Sequence, residues 1–395
     1  MALASELPVA VTLVAHDVGG IGGMELVVGE MVRGLLKDGH SVTVVARTCD
    51  LPAHPQLRWV RVPGPSRPFP LAYPWFLIVG SLLVWRHRRG VLHSTGAIVF
   101  NRVDVTTVHW CHLGAVAKVD LLSHRRPGFL YRLNSRIALP LSRLIERICY
   151  QPHRTRHLVA VSSGVRQEIE EHFSRMRGSI SVIPNAVDPS VFHPDPAARA
   201  RQRRLMGLSE DDFVALFLAG DWERKGLPVV VESVARTPNC HLLVVGNGDS
   251  LRYLRLAGGH GCASRIHFVG AARQPAAYYA AADVFVLASV YESFSLATYE
   301  AAASGLPLLA TRVSGVADIL ADGWNGWFVE RDARSITAKL SRLEGDPSLR
   351  KAMGERARLS SERFRWEPVV ESYIRLYRDT LDERSGGRAA YSRPA

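Results

Sequence analysis

Residues Asp283–Gly305 read DVFVLASVYESFSLATYEAAASG. The opening DVFVLA is a short apolar run of the kind that forms a buried strand. Ala301–Ser304 continue a helix, which Gly305 and Pro307 close. A helix starting near Ser295 leaves Glu292 on the loop at the strand's carboxyl end. Glu300 then lies about a turn inside the helix. The two glutamates are eight positions apart, whereas side chains on one helix face meet at three or four. Each is therefore expected to face a different part of one ligand. Between them, the N–H groups of Phe294, Ser295 and Leu296 stand at a helix start, where backbone donors lack intrahelical partners and anions bind.

Strand, loop and helix alternate outward from this stretch. Phe213–Ala219, His241–Val245, Ile266–Val269, Leu306–Ala310 and Gly326–Val329 read as strands, and Pro228–Ala235 as a helix. The first half repeats the pattern. Its strands are Val9–Ala15, Ser41–Ala46, Leu57–Val62, Val91–Ser94, Val105–His109, Leu158–Val161 and Ile180–Ile183. Its helices are Met24–Lys37 and a segment after Ser162 and Ser163. Short apolar strands between helices predict α/β architecture with two parallel, doubly wound domains, at 1–186 and 206–365. Residues 187–205, rich in Pro and charge, read as a linker. Residues 366–383 read as a last helix and 384–395 as a disordered tail.

The chain has 395 residues and a formal net charge of +12, with arginine far outnumbering its five lysines. Excess arginine suits phosphate groups or acidic lipid surfaces. Five scattered cysteines without a CxxC pair argue against a disulfide framework or zinc site and for a reducing compartment. The amino terminus reads as a first strand rather than a signal peptide. Phe69–Trp85 is the most apolar stretch, and Pro70, Pro74 and Gly80 interrupt it. It reads as a buried helix, with a membrane-surface segment as the alternative.

Four further motifs carry chemistry. Gly19–Gly23, GGIGG, lies between the first strand and first helix, so Gly22 and Gly23 let backbone approach a phosphate or sugar. A plain tight turn would use the same letters. Ala219–Gly226, AGDWERKG, places Arg224 and Lys225 at a strand's carboxyl end, positioned to neutralise a diphosphate or to form a solvated basic turn. His109 ends a first-half strand, either as a ligand contact or as a packed histidine. Arg125, Arg126, Arg132, Arg136, Arg143 and Arg147 accompany apolar residues at helical spacing. That basic stretch, 125–147, suits an ordinary amphipathic helix or a surface docking on anionic membrane lipid. Nucleic-acid binding fits poorly, because aromatics are not interleaved with the arginines.

Taken together, these segments resemble the retaining, nucleotide-sugar-dependent glycosyltransferases of family four, which have the GT-B fold. Glu292 and Glu300 match its E-x7-E element, and Ile183–Phe192, IPNAVDPSVF, matches its interdomain segment. Gly246–Asp249 and Phe268–Ala272 match its nucleobase loops. AGDWERKG departs from the family's usual form, with Ala219 and Gly220 where Gly and Arg are common. The variant is similar to lipopolysaccharide-core glucosyltransferases, and the whole chain also to phosphatidylinositol mannosyltransferases.

The resemblance implies two Rossmann-like domains facing an interdomain cleft, with the last helix crossing back to the first domain. It implies that Arg224, Lys225, Glu292 and His109 are catalytic. Gly22, Gly23, Gly246, Phe294, Ser295, Leu296 and Glu300 would bind the donor, with Glu300 on the ribose. It further implies metal-independent hexosyl transfer without a cofactor, the nucleotide sugar being a substrate. UDP-glucose is favoured as donor and GDP-mannose compatible. The acceptor would be a glycan or lipid-linked molecule of the cell envelope. The expected location is cytoplasmic, peripheral on the inner membrane face. A sugar-nucleotide epimerase, a nicotinamide oxidoreductase and a non-catalytic lipid-surface protein are the competing readings.

Overall fold

A computed structural model describes residues 7–20, 22–118, 129–272 and 274–391. The chain divides into two compact units, residues 1–185 with 366–395, and residues 186–365.

In the first unit, β1 (Ala10–Val14) leads through β2 (Asp17–Val18) to α1 (Gly23–Lys37). There follow β3 (Ser41–Ala46), β4 (Thr48–Cys49), β5 (Leu57–Arg61), α2 (Phe69–His87), β6 (Val91–Ser94) and β7 (Val103–Val108). Helices α3 (His112–Lys118) and α4 (Phe129–Cys149), strand β8 (Thr155–Ala160), helix α5 (Ser163–His172) and strand β9 (Ile180–Val182) complete it. Seven parallel strands run in the order β5-β3-β1-β6-β7-β8-β9. Every residue of β6 and β7 is buried, as a parallel strand covered on both faces requires. Ser162 accepts a hydrogen bond from the Val165 N–H and caps α5, as its position before the apolar run foretold.

The second unit opens with α6 (Pro196–Leu205) and continues β10 (Phe213–Leu218), α7 (Leu227–Ala235), β11 (Cys240–Val245), α8 (Ser250–Gly259) and β12 (Ile266–Gly270). Then come α9 (Ala276–Ala281), β13 (Val284–Leu287), α10 (Leu296–Ala303), β14 (Leu308–Ala310), β15 (Gly326–Phe328), α11 (Ala333–Gly345) and α12 (Pro347–Ser361). Its sheet is also parallel, ordered β12-β11-β10-β13-β14-β15. Strand order reverses between β10 and β13, the place where ligands bind beyond the carboxyl ends of an open α/β sheet. The last helix, α13 (Trp366–Tyr391), belongs to the first unit.

Three expectations need correction. Residues 187–205 are not simply a linker, because α6 is folded into the second unit. Its Arg203 is fully buried and donates to Asp283 Oδ2 at 2.7 Å and to four backbone carbonyls. Arg199 donates to the other Asp283 oxygen at 2.8 Å. A charged, Pro-rich segment looked solvated only because its partner lies far along the chain. The tail from 384 is helical through Tyr391, with Arg384 Nη1 3.3 Å from Asp104 Oδ2. Residues 392–395 lie outside the described residues. Finally, α2 is buried on one face only. Ala72, Tyr73, Phe76, Leu77, Gly80 and Val84 face inward, whereas Leu71, Trp75, Ile78, Leu82 and Trp85 are exposed.

Candidate active site

Two loops meet where the second sheet's order reverses. The loop after β10 carries Arg224 and Lys225, and the loop after β13 carries Glu292 through Ser295. Gly226 makes their approach possible. It adopts φ +86°, and a Cβ there would fall 2.4 Å from the Ala288 carbonyl oxygen. Val290 N–H donates to the Arg224 carbonyl at 3.2 Å. Arg331 clamps both loops from below, donating to Ala288 O at 2.9 Å and Glu223 O at 2.7 Å. Arg331 was not singled out from the sequence, because nothing local marks a guanidinium whose acceptors are loop carbonyls.

Glu292 is buried, and its Oε1 lies 3.1 Å from Lys225 Nζ and 3.7 Å from Arg224 Nη1. Arg224 also donates to the Tyr291 carbonyl. The Lys225 contact lacks hydrogen-bond alignment, so Glu292 Oε1 keeps an unused acceptor position despite its burial. Such an acceptor is costly to leave unfilled and is suited to a ligand hydroxyl.

Ser295 precedes α10 with φ +73° and ψ +65°, the one left-handed residue other than glycine among the described residues. Holding a serine there costs about 1–2 kcal/mol. The conformation turns the chain into α10, whose first N–H groups lack intrahelical acceptors. Phe294 is buried and stacks on Tyr299 at 3.9 Å, so this residue can offer a ligand only its backbone. Behind it, Gly315 N–H donates to Glu292 O at 3.3 Å, and the Tyr299 hydroxyl donates to Gly315 O at 2.7 Å.

Glu300 lies one turn into α10. The Tyr279 hydroxyl donates to its Oε2 at 2.6 Å. Burial raises the Glu300 pKa, while the Tyr279 bond and the Lys225 charge oppose that shift. Lys225 therefore pairs with one glutamate and acts electrostatically on the other, although their side chains have different close partners. Tyr279 had no signal in the sequence, since its hydroxyl reaches 21 positions forward.

The loops after β11 and β12 are tied to each other. Gly246 N–H donates to Gly270 O at 2.7 Å, and Asn247 Oδ1 accepts from Ala271 N–H at 3.1 Å. Trp222 packs against Tyr253 and Phe268.

The remaining predicted residues belong to the first unit. Gly22 is the N-cap of α1 and Gly23 its first residue, with the Glu25 carboxylate folded against Gly22. Ile21, inside this loop, lies outside the described residues. His109 follows β7, half-buried beside a small cavity lined by Val27, Met31, His93, Thr107, Trp366 and Tyr373. Desolvation lowers its pKa to about 4, leaving it neutral near pH 7. No local signal marks the network behind it. His93 pairs through Nδ1 with the Tyr377 hydroxyl at 2.6 Å and through Nε2 with Thr107 Oγ1 at 2.8 Å. Of the basic stretch, Arg125 and Arg126 lie outside the described residues, as do the side chains of Arg132 and Arg136.

Residues 198–360 match the family described as Glycosyl transferases group 1, and residues 21–191 match Glycosyltransferase Family 4. The protein is a family-four glycosyltransferase. The D-inositol 3-phosphate glycosyltransferase of Acidothermus cellulolyticus is 28% identical to this family-four chain, covering 93% of it and 87% of the relative. The crystal structure of WaaG, a glycosyltransferase involved in lipopolysaccharide biosynthesis, superposes with a TM-score of 0.77 at 21% identity, covering 92% of this chain and 98% of that one. Anabaena HepE, solved with UDP and glucose, gives a TM-score of 0.71 at 16% identity, covering 95% and 100%. These structural likenesses show the GT-B fold of the glycosyltransferase, with its two Rossmann-like sheets.

Proposed function

We propose that this glycosyltransferase moves a hexose, with retention of anomeric configuration, from a nucleotide diphosphate sugar to a glycan or lipid-linked acceptor. One observation carries the reading. A lysine and an arginine converge with a buried glutamate and an α-helix start on two loops at the sheet's switch point. Such a constellation fits a diphosphate that gains charge as its bond to the sugar breaks. HepE's complex with UDP and glucose supports a UDP sugar as donor, with GDP-mannose as the alternative.

In this reading, the bond between the anomeric carbon and the diphosphate oxygen breaks on the same face on which the acceptor oxygen bonds. The departing phosphate oxygen takes the acceptor's proton. Lys225, Arg224 and the N–H groups of Phe294–Leu296 stabilise the leaving charge. Glu292 Oε1 accepts from a sugar hydroxyl, and Glu300 from the ribose. His109 is assigned a hydrogen bond to the sugar, and Gly22 and Gly23 a backbone approach to the donor. The scheme needs no metal or cofactor, since the two side-chain cations supply the positive charge.

The test is a thermal-shift and calorimetric screen against UDP-, GDP- and ADP-sugars, followed by product analysis with and without acceptor. Stabilisation by one nucleotide class and transfer only with acceptor support the reading. Sugar conversion without acceptor would instead reveal an epimerase. Inverted product stereochemistry would end the retaining assignment.

A further inference from the structure

The outer face of α2 is a continuous apolar stripe. Leu71, Trp75, Ile78, Leu82 and Trp85 recur at spacings of four, three, four and three, with exposures from 47% to 80%. Single exposed leucines are ordinary, but five large apolar residues on one helix face are not. Helix α4 packs beside α2 and exposes Ile137, Leu144 and Ile148 at the same kind of spacing.

Among the described residues, the exposed charge on these two helices is positive. Helix α2 contains no Asp or Glu. The single acidic residue of α4, Glu146, is buried against His112, with Oε1 2.7 Å from its Nδ1. Arg86 and Arg89 at the end of α2, and Arg147 on α4, are exposed. We propose that this face docks the protein on a bilayer of anionic phospholipid. The apolar stripe enters the headgroup–acyl boundary, Trp75 and Trp85 sit at the interface, and the arginines meet lipid phosphates.

Helix α2 is long and apolar enough to cross a membrane. Spanning would, however, strip Phe76, Leu77 and Val84 from the core and break the 2.6 Å bond from the Tyr73 hydroxyl to Ala97 O. The helix therefore lies along the surface. A second copy of this chain is a poorer occupant, because pairing two such faces would bring their arginine rims together in a chain of net charge +12. The inference does not depend on the identity of the sugar donor.

The experiment is flotation of the full chain with vesicles of phosphatidylcholine alone or mixed with phosphatidylglycerol. Wild-type protein should float with the anionic vesicles, less so in high salt. Each of Arg86→Glu and Arg89→Glu should weaken binding roughly fivefold or more. The triple variant Ile78→Ser, Leu82→Ser, Trp85→Ser should stay at the bottom with its melting temperature unchanged. Should that variant fail to fold, quenching of wild-type tryptophan emission by brominated lipid reads insertion directly. Absence of flotation and quenching by wild type would overturn the proposal, as would unaltered flotation of a folded triple variant. A wild-type dimer that the triple variant dissolves, without vesicle binding, would assign the stripe to a second copy instead.

Discussion

Lys225 Nζ lies 3.1 Å from Glu292 Oε1, and the same lysine acts electrostatically on Glu300. One cation is thus set between two carboxylates that have different close partners. If it stabilises charge that appears only as the diphosphate leaves, its removal must lower turnover more than ground-state binding. Lys225→Ala should lower kcat by roughly 10²–10³, the scale of losing one preorganised electrostatic contact. Donor Kd measured by calorimetry should change far less. Near-normal turnover would refute the role.

Glu300 should report on the nucleotide. Glu300→Ala removes a carboxylate acceptor, and UDP affinity should fall by about tenfold or more, as expected for hydrogen bonds to a charged group worth about 1.5–3 kcal/mol. Tyr279→Phe should have a smaller effect in the same direction. Burial raises the Glu300 pKa. If Glu300 holds the ribose, its ionised form is the stronger acceptor for the hydroxyls, so affinity should drop as pH falls through the raised value. The fold itself behaves oppositely at this position, since the proton-binding form is favoured at low pH and that contribution is lost as pH rises. Calorimetry across pH should show the acid loss in wild type and not in Glu300→Gln. A pH-independent affinity in both proteins would remove Glu300 from the binding site.

Gly315 should be intolerant of any side chain. A Cβ there would stand 2.1 Å from Phe294 Cα and its carbonyl oxygen. That overlap is with backbone, so relief requires moving the loop that carries Glu292 and the start of α10. Gly315→Ala is expected to lower the melting temperature by several degrees, as a cost of about 1–3 kcal/mol does. Activity should fall further than stability explains, measured well below the melting temperature. Wild-type kinetics in Gly315→Ala would mean that the loop is less constrained than its packing indicates.

Much of this architecture was readable because its signals are local. Strands such as Ser41–Ala46 and Val91–Ser94 are apolar runs bounded by turn residues, and they formed with the expected bounds. The site's frame was also legible. A strand, a loop glutamate and a helix glutamate predicted where α10 begins, and Ser295 is its N-cap. Long-range partners were not legible. Arg203 looked solvated until Asp283, 80 positions on, folded against it. His93 and Tyr377 are 284 positions apart. The direction of α2 was equally hidden, since a helix apolar all round does not reveal which face meets the core.

His93 offers a stability test for the first unit. It is fully buried between Tyr377 and Thr107, and its pKa is lowered to about 3, first by burial and then by the neighbouring His109. A histidine with a depressed folded pKa binds its proton more readily in the unfolded chain. It therefore leaves stability untouched above the unfolded value of 6.5 and erodes it as pH falls from there toward about 3. The slope from one such histidine approaches about 1.4 kcal/mol per pH unit. Urea unfolding from pH 7.5 to 4.5 should show midpoints falling on the acid side. His93→Gln, which cannot titrate, should be less stable at pH 7.5 because it disrupts the bonds to Tyr377 and Thr107. Its midpoint should nevertheless decline less steeply with acid. Parallel declines in wild type and His93→Gln would show that this imidazole does not govern the acid response.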